Sequence, residues 1–148
     1  MIGVIAKTNE SAVVEEFFQL FKTPWEEFHE GRAYDVVITT GDEAPEVDAN
    51  LVLIYGAETR NSDRRARITT RLRQQGVTLD YRGVELPIYG QAVTFNKTTA
   101  KGVCSTTDSE IVGVELDSGG PKTLRIGYDL FQEIDFLLSV GQPVENAH

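Results

Sequence analysis

Cysteine occurs once in the 148 residues, histidine twice, and methionine and tryptophan once each. A lone Cys104 cannot close a disulfide within the chain, which suits a reducing compartment. His29 and His148 stand far apart and neither has a second ligand at zinc-type spacing, so no metal site is expected. Positive charge is scarce as well. The 14 Lys and Arg face 23 Asp and Glu, a net charge of −9, and such a field repels nucleic-acid backbones and anionic lipid. Apolar runs stay far below the roughly 20 residues of a membrane span. The opening MIGVIAKTNE has only about four apolar residues before Lys7, where a signal segment takes roughly 7 to 15. The expectation is therefore a cytoplasmic chain with neither nucleic acid nor membrane as partner.

What is present suits one domain. With 41% apolar and 25% charged residues the chain can bury its own core, and a single domain is expected over 1–141, with 142–148 as a tail or the start of a linker. Ile2 to Ala6 is a short apolar run, read as a strand. Thr8 or Asn9 then caps a helix in which Val13, Val14, Phe17, Phe18 and Phe21 recur at helical spacing. Thr23 before Pro24 looks like a second cap, opening a short helix that Gly31 stops. DVVITT at 35–40 and LVLIY at 51–55 are strands apolar on consecutive residues, the mark of a parallel sheet covered on both faces. Between them lies an acidic loop at 42–48. From Val77 to Asp117 short β-rich pieces alternate with Gly, Pro and polar residues. TLRIGY is a last strand, and Asp129 with Gln132 starts a closing helix whose apolar face is Leu130, Ile134, Leu137 and Leu138.

The stretch LVLIYGAETRNSDRRARITTRLR reads as a strand, a turn at Gly56, and a helix carrying most of the arginine, ended by Gly76. Enzymes that run a strand through such a turn into a helix present a nucleophile there. Arg60, Arg64, Arg67 and Arg71 are spaced by four, three and four, so they fall on one stripe of that helix. Two readings stay open for the stripe: a solvated face, or a docking face for an acidic partner surface, an anionic sugar or a second subunit. SGGP at 118–121 lacks the Lys-Ser/Thr of a phosphate loop, the carboxylates at 42–48 lack the spacing of a calcium loop, and no cofactor is expected.

MIGVIA before a helix, VVITTG and LVLIYGAE together resemble the class I glutamine amidotransferase-like fold. The resemblance implies a three-layer, mostly parallel α/β domain of flavodoxin-like or amidotransferase-like type, with an added β-rich segment. The sequence departs from that family at the elbow, where Ile54-Tyr55-Gly56-Ala57-Glu58 replaces a cysteine between glycines, and it lacks the late catalytic histidine. TLRIGYDLFQEIDFLLSVGQP resembles the segment closing the N-terminal accessory domain of bacterial polysaccharide-deacetylase-like proteins. These resemblances imply a non-catalytic accessory or interaction domain, bound to a protein partner, to its own downstream domain or to a second copy, with carbohydrate as a further ligand class. Its crevice is expected at the carboxyl ends of the strands, lined by Thr40, Gly41, Tyr55, Gly56 and Glu58. The alternatives are an amidotransferase-like hydrolase using Cys104, Glu58 and a water-mediated base, or a small-molecule sensor using the same crevice. A thiol without a neighbouring base is a small hydrophobe, and Cys104 is read so first.

Overall fold

The apolar run after Met1 forms β1 (Ile2–Ile5), sandwiched between β2 (Trp25–Glu27) and β3 (Ala33–Thr39), both parallel to it. The computed structural model describes residues 1–40, 47–59, 63, 68–73, 77–95, 101–116 and 120–139. β4 (Asp48–Tyr55) lies parallel to β3, and β11 (Lys122–Ile126) lies parallel to β4. β11 is the seam of the molecule. On its other side β10 (Ile111–Leu116), β9 (Lys101–Thr106), β6 (Val77–Tyr81) and β7 (Val84–Ile88) continue the sheet with every ladder antiparallel. A further ribbon, β5 (Thr70–Arg73) with β8 (Ala92–Phe95), joins through a bridge from Phe95 to Ile111, so the sheet counts 11 strands.

After a 3-10 turn at Thr8–Glu10 comes α1 (Ser11–Phe21), which packs against α2 (Leu130–Ser139) on one face of the parallel half. Val14 and Phe18 of α1 and Phe131 of α2 close a core with Val4, Ile38 and Tyr55. The spacing of four between Val14 and Phe18 puts both on the stripe that faces the sheet. α1 stops where Lys22 turns left-handed at φ 51°, its N–H reaching back to Phe18 and Gln19 carbonyls. The β5–β8 ribbon contributes to a second core, in which Ile68, Val93 and Phe95 meet Val114. Where the ribbon meets the seam, Gly127 donates to the Val112 carbonyl and accepts from Val93 N–H. A Cβ at Gly127 would run into the Val93 carbonyl oxygen, so only glycine lets the backbones approach.

This architecture corrects the expected three-layer, mostly parallel, flavodoxin-like or amidotransferase-like sandwich. The sheet is mixed, and its antiparallel ladders outweigh a parallel part confined to β2, β1, β3, β4 and β11. The helix expected after Gly56 gives way at Thr70–Arg73 to β5, which pairs antiparallel with β8. Ile68, Thr69 and Thr70 are β-branched, and their preference for extended backbone outweighs the arginine spacing. The short helix expected after Pro24 is β2 instead. Trp25 stacks on Phe18 at 5.4 Å, which an edge strand beside β1 allows and which places Pro24 at the strand's entry. Gly76, the acidic loop apart from Val47 and Asp48, the turn residues 118–119, and 140–148 lie outside the described residues. No helix among the described residues is long and apolar enough to cross a membrane.

The outer hairpin ends in a two-residue loop, Arg82 at φ 51° and Gly83 at φ 83°, the mirror-image turn that matches strand twist. Asp80 Oδ1 accepts the Gly83 N–H at 3.1 Å and holds it. Such a loop makes Tyr81 and Val84 a hydrogen-bonded pair, and ladder alternation then turns the main-chain groups of Glu85 and Pro87 outward. Pro87 has no N–H to offer there, which blunts the open edge of β7 against a further strand.

Candidate functional site

At the carboxyl ends of the parallel strands the structure builds a polar cluster. Glu10, 7% exposed, accepts the Thr40 hydroxyl at 2.7 Å and the Lys7 N–H at 3.0 Å through Oε1. Lys7 Nζ reaches Asp129 Oδ2 at 2.8 Å, and Asp129 Oδ1 takes the Gln132 N–H at 3.1 Å as the cap of α2. Beside it a cleft of about 410 Å³ opens between Lys7, Thr8, Trp25 and Phe28. Sequence reasoning missed Glu10 and Lys7. The signal available was a Glu three residues after Lys7, the reach-back geometry of a helix start.

The elbow itself is held from beneath. Arg125 is fully buried and donates to both Asp63 carboxylate oxygens, at 2.9 and 3.2 Å, and to the carbonyls of Gly56 and Glu58, each at 2.8 Å. Its guanidinium also lies over the Phe95 ring, 5.3 Å from the centroid. This planar fork fixes the turn after β4 in place of a catalytic group. An arginine inside the apolar run TLRIGY is the sequence signal for such a paired burial.

The opposite face carries a cleft of about 820 Å³ between the β6–β7 hairpin and the seam strands. Register places Cys104, Gly113, Ile126 and Tyr55 in one row across four strands. A Cβ at Gly113 would stand 2.7 Å from Cys104 Sγ, so the missing side chain makes room for the sulfur. Tyr55 and Tyr128 meet edge to face at 5.5 Å above it. Burial pushes the Cys104 thiol above its ordinary range. The same cause holds Tyr55 far above the usual phenol value and pushes Tyr128 up to about 12. All three groups are protonated at neutral pH.

The expected crevice residues are therefore divided among three places. Thr40 joins the Glu10 cluster, Gly56 and Glu58 sit on Arg125, and Tyr55 faces the large cleft with Cys104. Gly41, Arg60, Arg64 and Arg67 lie outside the described residues, whereas Arg71 is exposed on β5. Glu58 is not among the residues lining the cleft that holds Cys104. Of the histidines, His29 follows β2 and donates its N–H to the Tyr34 hydroxyl, and His148 lies outside the described residues. Among the described residues no cluster of His, Cys, Asp or Glu has the makings of a metal site.

No family model and no curated protein matches the chain. Solved structures do. Gan42B, a GH42 beta-galactosidase, matches over 97% of this chain and 30% of its own, at 10% identity and a TM-score of 0.55. A catalytic mutant of Gan42B, from G. stearothermophilus, matches over the same shares at 10% identity and a TM-score of 0.58. The likeness is one of fold, and the chain spans about 30% of the length of these enzymes. With the β-rich mixed sheet, these neighbours overturn the resemblance to amidotransferase-like and polysaccharide-deacetylase-associated domains. Short apolar strands ending at glycine are common to many sheets, and the motifs quoted for both families carried little more than that.

Proposed function

We propose that this chain is a non-catalytic interaction domain, docking through an apolar band that runs from β7 to α2. The observation that carries the reading is the exposure of Val84, Leu86, Tyr89, Phe136, Leu137 and Leu138, each between 39% and 57%. Single exposed apolar residues are ordinary, but these form two neighbouring groups joined by the stacked rings of Tyr89 and Phe136, 5.2 Å apart. Glu133 fixes the join, taking the N–H groups of Tyr89 and Gly90 at 2.6 and 2.9 Å. Catalysis has less support. Among the described residues lining the large cleft Asp80 is the one carboxylate, and it is bound to its own turn, whereas glycoside hydrolysis ordinarily uses two. Cys104 has no imidazole beside it among the described residues. The fold shared with about 30% of the length of two GH42 beta-galactosidase chains supports an accessory place within a larger carbohydrate-active assembly. A reducing cytoplasm is the compartment we assign, from the unpaired Cys104.

The test is sedimentation velocity across a wide concentration range, with Phe136→Glu and Leu137→Glu beside the parent chain. Concentration-dependent association that both substitutions abolish, with unchanged thermal stability, is the expected result. A chain that stays monomeric and hydrolyses esters or glutamine in a Cys104-dependent way would overturn the reading.

A further inference from the structure

We infer that the 820 Å³ cleft is a binding site for a small anionic amphiphile, an aromatic body carrying a carboxylate or sulfonate. The cleft shares Leu86 with the docking band, but the cations and tyrosines on which the inference rests lie outside that band. The size is right for a drug-sized molecule. Length follows from register: Lys122 lies beside Leu51 and Ile126 beside Tyr55, four residues apart along β11 and so roughly 13 Å.

Chemistry differs between the two ends of that distance. The inner end is Tyr55 and Tyr128 edge to face, with Ile126 below them, a surface that receives an aromatic ring. Burial keeps both phenols protonated there, so the inner end carries no charge at neutral pH. The outer end carries two cations, Arg82 at the hairpin tip and Lys122 at the start of β11. Asp80 shares that end and keeps its charge, with Oδ1 held on the Gly83 N–H, so the cations outnumber the carboxylates of the lining by one. Lys122 meets Glu115 only at 3.5 Å, with its side chain 62% exposed. In a chain of net charge −9, a cleft lining with two cations and one carboxylate has the opposite sign to the overall field. A cationic ligand is disfavoured by that mouth, and a neutral one leaves it unused.

The test uses a matched pair of probes, 8-anilino-1-naphthalenesulfonate and its neutral counterpart N-phenyl-1-naphthylamine, titrated by fluorescence into the full chain. The sulfonate should bind the more tightly. Arg82→Asn, which keeps a residue tolerant of left-handed backbone, and Lys122→Gln should each weaken it roughly three- to fivefold and leave the neutral probe unchanged, the scale of one exposed charge pair. Both positions are exposed, so folding is not at stake. Cys104 is the chain's one cysteine, which allows an independent reading: alkylation by neutral iodoacetamide, followed by mass, should slow several-fold at saturating sulfonate. Equal binding of both probes that neither substitution alters overturns the proposal. So does Cys104 alkylation at the same rate with and without the sulfonate.

Discussion

The two halves of the sheet bury their polar groups by different means. In the parallel half, charges go inside and are fully paired: Arg125 and Asp63 are each 0% exposed, and Asp129 is 3% exposed beneath Lys7. In the antiparallel outer half, Val84 and Leu86 remain 57% and 48% exposed while the hairpin is held by its own turn. The parallel strands need crossover connections, so their ends must be tied to loops by side chains. The hairpins need no such ties. The difference teaches where this fold is rigid and where its surface is left available.

Breaking the Arg125 network is the harshest way to test that contrast. Arg125→Met should leave Asp63 buried without its cation and the Gly56 and Glu58 carbonyls without their donor, at a cost of about 3 to 5 kcal/mol. Urea unfolding should show the midpoint collapse, and Arg125→Met with Asp63→Leu should recover part of it. A loss under about 1 kcal/mol would mean that the elbow is held by packing alone. Asp129→Ala comes next. It removes the cap of α2 and the partner of Lys7, and should cost about 1 to 2 kcal/mol, read in the same way.

Much of the parallel half was legible in the sequence, because consecutive apolar residues at 2–5, 35–40 and 51–55 mark strands whose two faces are both covered. The outer half was legible only as β-rich pieces. Its pairing depends on contacts between distant residues, such as Leu79 with Thr106 and Ala92 with Arg73, which no local pattern encodes. β2 and β5 were misread for the same reason: Pro24 and the arginine spacing are helix signals taken alone, and the neighbouring strands decide otherwise. The large cleft left no motif at all. Its residues come from β4, β6, β7, β9, β10 and β11, so only Tyr55 and Cys104 were singled out, and for separate reasons. Arg125 was visible as a charge inside an apolar strand, but its partner, Asp63, is 62 positions away.

The pH dependence sharpens the comparison at the seam. Burial raises the pKa values of Cys104, Tyr55 and Tyr128 above their ordinary 9.0 and 10.0. The unfolded chain therefore releases these protons first. Stability should be present in full below pH 9 and fall as pH rises through 9 to 12, first by the cysteine and then by the tyrosines. Melting temperatures measured over that range should fall less steeply in Tyr55→Phe, and tyrosinate absorbance should show two of the 5 tyrosines ionising last. A melting temperature that Tyr55→Phe leaves with the same slope through pH 9 to 12 would show that the row beneath the cleft is open to water.

The smallest effect is the most telling for the outer half. Val84→Thr removes apolar surface from a residue that buries little, and it keeps β-branching on β7, so stability should change by no more than about 0.5 kcal/mol. The same substitution in a core strand would cost more, because a hydroxyl would enter an apolar site. Val37, at 0% exposure on β3, supplies that control: Val37→Thr should cost about 1 to 3 kcal/mol. Equal losses at the two positions would mean that β7 is buried in solution, and hence that the band beside it is already covered by a second copy. Unequal losses, with Val84→Thr weakening association but not folding, would place the exposed valine in the docking surface, as the contrast between the halves requires.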